Sequence, residues 1–76
     1  MALEPENALA ISNRGAALAA MKQHEAAAMD FNRALRLDPC QFDARFNLGL
    51  LRLPAPEMPV GCRWNTEQKR KLGLIH

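Results

Sequence analysis

With 76 residues, 49% of them hydrophobic and 24% charged, the chain is one small domain at most and is too apolar for a disordered segment. It has no run of about 18 apolar residues, and its N-terminus, MALEPENALA, carries acids where a secretory leader carries Lys or Arg. The formal charge of +2 lies wholly in the tail: residues 1–53 set six bases against six acids, and residues 54–76 set four bases against two. A membrane span is therefore not expected, and a neutral body lacks the clustered cations that phosphate-backbone binding needs. Two cysteines, Cys40 and Cys62, outside Cys-x-x-Cys spacing build neither a disulfide framework nor a zinc finger.

Composition divides the chain near Leu53. Twelve of thirteen alanines lie at or before Ala44, and three of five prolines fall in Pro54–Pro59, so a helical body gives way to a broken junction. The first helix is predicted over 8–21, where Leu9, Ile11, Leu18 and Met21 stand among small residues suited to close packing. Lys22-Gln23-His24 is a short polar break. Glu25 then opens a second helix, in the turn where the macrodipole favours an acid. Ala27, Ala28, Phe31, Ala34, Leu35 and Leu37 follow at spacings of three and four, a buried helical stripe. Asp38-Pro39 ends this helix, because the residue before proline is driven out of the α region. A third helix is predicted from Phe42 to Leu53, stopped by Pro54. In the tail, Asn65-Thr66 ahead of Glu67-Gln68-Lys69 has the form of a helix start, with Glu67 and Lys71 at i,i+4.

The helices repeat. Shifting the sequence by 34 aligns Leu3 with Leu37, Pro5 with Pro39, Ala10 with Ala44, Asn13 with Asn47 and Gly15 with Gly49. Alanine supplies only one of these identities, so composition does not explain them. A helix–turn–helix unit of 34 residues resembles the tetratricopeptide repeat. Gly15, Ala27, Phe31, Ala34 and Pro39 stand at that family's small, aromatic and turn positions. Ile11, Arg14, Leu18 and Lys22 depart from its usual tryptophan, leucine, aromatic and turn glycine. The resemblance implies an all-α fold of antiparallel helix–turn–helix repeats, a solenoid fragment with an irregular or short-helical C-terminal tail. Residues 1–53 are the repeat region, with a full repeat at 8–41 and a partial one at 42–53; residues 54–76 are a Pro-rich junction and basic tail. Leu3-Glu4-Pro5 resembles the end of a preceding repeat.

About three such units are usually needed for a stable solenoid, so one and a half leave apolar surface uncovered. Leu50, Leu51 and Leu53 lack the helix they would normally meet. Either the tail covers them, with Trp64, Leu72, Leu74 and Ile75 as a cap, or another chain does. A disordered tail is the competing reading, and Lys69-Arg70-Lys71 reads as a solvated helix face.

By resemblance, the function is protein–protein interaction, with the first helix of each repeat lining a concave groove. The groove positions are Leu9, Ser12, Asn13 and Ala16, then Asp43, Phe46, Asn47 and Leu50. Asn13 and Asn47 form two rungs of a ladder whose amides suit an extended peptide backbone; the plainer reading is that asparagine is habitual at this position. A carboxylate clamp is not expected, because Asp43 sits where a cation would grip. The expected partner is a protein or peptide, not nucleic acid and not a membrane. One alternative is a truncated piece that self-associates through the third-helix leucines as a homo-oligomer. An RNA-binding helical repeat ranks below both, since pentatricopeptide units have a longer period. No Gly-rich phosphate loop, carboxylate pair or metal cluster is present, so neither an enzyme nor a cofactor is expected. His24 reads as a turn or core packing residue, and Cys40 as a plain thiol that meets Cys62 only under oxidation. The location expected is intracellular, cytoplasm ahead of nucleus.

Overall fold

A computed structural model describes residues 7–75. The proposed remnant of a preceding repeat at Leu3-Glu4-Pro5 and the terminal His76 lie outside them. The described chain is all-helical: α1 (Ala8–Ala20), α2 (His24–Leu37), α3 (Phe42–Leu50) and a short α4 (Thr66–Lys71). None of these helices is long and apolar enough to cross a membrane.

Three of the four helices, α1, α3 and α4, begin where a side chain satisfies an orphan amide. Asn7 accepts from Ala10 N at 3.1 Å, and Gln41 accepts from Ala44 N at 3.0 Å. Asn65 and Gln68 form a reciprocal capping box, the start expected at Asn65-Thr66. Glu25 stands in the first turn of α2, and Asp38 ends that helix in an extended conformation. The Asp38 side chain then accepts from Cys40 N at 3.0 Å, which sets the turn into α3.

Three helices end alike. Gln23 N bonds Leu18 O, Leu53 N bonds Leu48 O and Leu74 N bonds Lys69 O, each closing a Schellman motif. The motif needs one left-handed residue, supplied by Lys22 (φ 62°), Arg52 (φ 56°) and Gly73 (φ 79°). The closure at Arg52 ends α3 at Leu50, three residues before the predicted Leu53. Pro54 therefore follows the helix end rather than causing it.

Helix α2 is the centre of the core. Ala27, Phe31, Ala34 and Leu35 from α2 and Ala44 and Leu48 from α3 are buried, with Ile11, Ala16, Leu18 and Ala19 of α1 packed against them. Gly15 is buried because α1 and α2 approach there. A Cβ built on it would lie 2.7 Å from Phe31 Cε1 and 3.2 Å from Asp30 Cβ. Arg14, standing where the family has leucine, instead forks onto Asp30, with Nε donating to Oδ2 at 2.8 Å and Nη2 to Oδ1 at 2.7 Å.

Several expectations need correction. Leu9 and Met21 are exposed, and so is Leu37, the last residue of α2. His24 is exposed as the first residue of α2, so it belongs to the turn and not to the core. Leu51 and Leu53 pack against the core, because the chain reverses at Arg52 and brings both back onto it. Leu50 alone of the three leucines stays open, at 63% exposure.

Candidate interaction surface

The first-helix positions expected to line a groove fall into unlike environments. Leu9 and Asn13 are exposed on α1, Ala16 is half-buried and packed on the core, and Asp43, Phe46 and Asn47 are half-buried on α3. Ser12 is a correction. It is fully buried where α1 meets its neighbours, and its Oγ has no hydrogen-bond partner among the described residues, so it presents nothing to a ligand. Asn47 Nδ2 donates to Asp43 O at 2.7 Å, within its own helix. The two rungs of the asparagine ladder therefore differ: Asn13 faces solvent, and Asn47 has turned one amide donor inward.

Phe46 and Leu50 do come together. They line a cleft of about 350 Å3 with Gly49 and Leu53 of the α3 region and with Ala55, Met58, Lys71 and Leu72 of the tail. On its α3 side, Phe42 and Phe46 stack with centroids 5.5 Å apart and planes 11° from parallel. Lys71 Nζ sits 6.0 Å from the Phe46 centroid, at the outer reach of a cation–π contact, and 3.7 Å from Glu67. Gly49 opens onto the cleft: a Cβ there would meet nothing within 4 Å. Leu9, Asn13 and Ala16 are not among the lining residues.

The tail reaches this face through anchors that sequence reasoning missed. Arg45, nearly fully buried in α3, donates Nε to Pro39 O at 3.0 Å, Nη1 to Pro56 O at 2.7 Å and Nη2 to Glu57 O at 3.1 Å. Burial pushes its guanidinium below the ordinary arginine value, and three carbonyls compensate the buried charge. Trp64 Nε1 donates to Cys40 O at 2.9 Å. Cys40 and Cys62 form a disulfide between the α2–α3 turn and the tail, which corrects the reading of Cys40 as a plain thiol. The turn at Asp38–Gln41 and the bonds of Arg45 and Trp64 fold the two segments together and bring the sulfurs within bonding reach. Of the expected cap, Leu72 does line the cleft, whereas Trp64 pins the turn and Leu74 and Ile75 remain exposed.

A different electrostatic feature sits on α1 and α2. Two bonds from Arg14 hold the Asp30 carboxyl below the usual carboxylate range; desolvation opposes them, and the positive charge adds to the lowering. The same bonds raise Arg14 above its ordinary value. This pair ties α1 to α2 and lies away from the cleft. Among the described residues, no cluster of His, Cys, Asp or Glu could hold a metal ion.

Residues 8–39 match the family model of the tetratricopeptide repeat, which spans α1, the turn and α2. No curated protein and no solved structure matches the chain.

Proposed function

We propose that this chain, which carries a tetratricopeptide repeat at residues 8–39, is a protein-interaction module that receives a partner helix on the open face of α3. The family serves protein–protein interaction in general, and the single observation that carries the finer reading is the environment of Gly49. In the first repeat, Gly15 admits the ring of Phe31 from the second helix of its unit. Gly49 holds the same place one repeat later and faces open space beside Phe46, Leu50 and Leu53. An amphipathic helix that sets an aromatic residue over Gly49 would reproduce the contact already made at Gly15.

An extended peptide on the asparagine ladder is the weaker reading, since Ser12 is buried and Asn47 bonds within α3. Self-association through the leucines loses support too, because Leu51 and Leu53 are packed on the core.

The test is selection of helical peptides from a displayed library against the full chain, in oxidised and reduced form, followed by nitrogen–proton chemical-shift mapping. Selected peptides are expected to shift Phe46, Gly49 and Leu50, and Leu50→Asp is expected to weaken binding at least tenfold. Shifts confined to α1 and the outer face of α2, or binding indifferent to Leu50→Asp, would overturn the reading.

A further inference from the structure

The open face of α3 is walled on one side by the tail. Tail residues Ala55, Met58, Lys71 and Leu72 form the far wall of its cleft. Few contacts hold them there. Arg45 binds the carbonyls of Pro56 and Glu57, Trp64 binds Cys40 O, and Lys71 rests near Phe46. The only covalent tie is Cys40–Cys62, which joins residues 22 apart in sequence. None of the tail's described side chains belongs to the buried apolar core, which is drawn from α2 and α3. The body therefore has its own packing, and the tail adds a strap.

We propose that the Cys40–Cys62 disulfide is a redox latch that holds the tail across α3, and that its reduction frees this face for a partner helix. The proposal rests on the interaction reading above and adds its regulation. The step balances as thiol–disulfide exchange. A dithiol reductant gives up two electrons and two protons and becomes a disulfide, while the protein disulfide becomes two thiols at Cys40 and Cys62. Once the bond is cut, the tail is held only by hydrogen bonds and partly exposed contacts. Such elements open locally without global unfolding. The latch is closed in an oxidising compartment and open in a reducing one.

Geometry gives the device its direction. The disulfide lies at the α2–α3 turn, beside the N-terminus of α3, whereas the covered cleft lies along Arg45 to Leu53. Cutting the bond thus alters the cover without removing any residue of the α3 wall. Gly49, Phe46 and Leu50 stay in place, and Met58 and Leu72 leave.

The experiment compares the oxidised chain, the chain reduced with dithiothreitol, and Cys40→Ser/Cys62→Ser. Amide hydrogen exchange reads the tail. A synthetic peptide of residues 23–38, this chain's own second helix, serves as the probe helix because it is the known mate of a first helix of this type. Reduction is expected to speed exchange in residues 65–74 at least tenfold while α1 and α2 stay protected. The peptide is expected to bind the reduced and double-serine forms at least tenfold more tightly than the oxidised form.

Unchanged tail exchange on reduction would overturn the latch, whatever the peptide does, and would leave the interaction reading standing. Loss of protection in α1 and α2 as well would make the bond a structural staple and not a latch. A freed tail with equal peptide affinity in all forms would show that the tail does not gate the face. A freed tail with no peptide binding in any form would remove the helix-receiving reading, and the gating with it.

Discussion

Gly15 and Gly49 stand 34 residues apart at matching places in the sequence, and they meet opposite surroundings. Gly15 is buried against Phe31, with no room for a methyl group, while Gly49 has empty space around it. Helix α1 meets α2 and is closed by apolar packing; α3 is closed on its far side by polar and covalent ties to the tail. The same backbone geometry can thus be completed in two ways. Apolar packing uses residues spaced three and four apart along a helix, and the closure by the tail uses residues with no such spacing. Only the second kind can be undone without melting the core.

The sharpest way to break this comparison is to remove the packing on one side and then on the other. Phe31→Ala deletes a fully buried ring at the centre of the core and is expected to cost about 3–5 kcal/mol. A domain of this size holds roughly 3–5 kcal/mol in total, so circular dichroism should show a chain largely unfolded at room temperature. Phe46→Ala removes a half-buried ring from the cleft and is expected to cost about 1–2 kcal/mol, leaving the far-ultraviolet spectrum helical. Equal losses from both would mean that α1 and α3 are not closed differently.

The glycines themselves give the next largest effect, and it should change sign. Gly15→Ala places a methyl 2.7 Å from Phe31 Cε1, a ring that cannot retreat because it is buried, and overpacking of this kind costs about 1–3 kcal/mol. Gly49→Ala meets nothing and replaces a glycine inside a helix, which stabilises by about 0.5–1 kcal/mol. Thermal unfolding of the two variants should bracket the parent chain. Both falling on the same side would contradict the open face at Gly49.

This contrast also marks what was legible before any coordinates. Apolar spacing and breaks located α1, α2 and the start of α3, and the family resemblance supplied the places of Gly15, Ala27, Phe31 and Ala34; all of these are short-range patterns. The capping box of α4 was equally local. The attachment of the tail was not, since it depends on pairings across 11 to 24 residues for which no periodicity exists. Arg45 reads as one more helix cation until its three carbonyl partners are seen. Ser12 shows the converse limit. Its position in the repeat suggested a groove, and its small side chain instead let the helices close over it.

A pH series separates α1 from α3 by charge. The Asp30 carboxyl has a folded-state pKa below its unfolded value, near 3.9. Its stabilising contribution is therefore complete above the unfolded value and is lost as pH falls through the folded one. The effect belongs to the contact between α1 and α2. Unfolding midpoints should drop as pH is lowered below about 4, with a shallower drop in Asp30→Asn. Identical acid profiles for the parent chain and the variant would show that the Arg14–Asp30 fork does not couple to folding.

The smallest effect tests whether α1 and α3 share one way of ending a helix. Lys22 closes α1 and Arg52 closes α3, and both hold a left-handed backbone that costs a side-chain-bearing residue about 1 kcal/mol. Gly73 does the same job at the end of α4 without that cost. Lys22→Gly and Arg52→Gly are each expected to stabilise by up to about 1 kcal/mol, a rise of roughly 4–8 °C in Tm for a chain this size. The two gains should add, since the sites share no hydrogen-bond partner. They should differ in what they stabilise. Lys22→Gly tightens the hairpin between α1 and α2 and should slow amide exchange in both, whereas Arg52→Gly fixes the reversal that returns Leu53 to the core. If Arg52→Gly raised Tm and left exchange at Leu51 and Leu53 unchanged, that reversal would not be what packs these two leucines against the core.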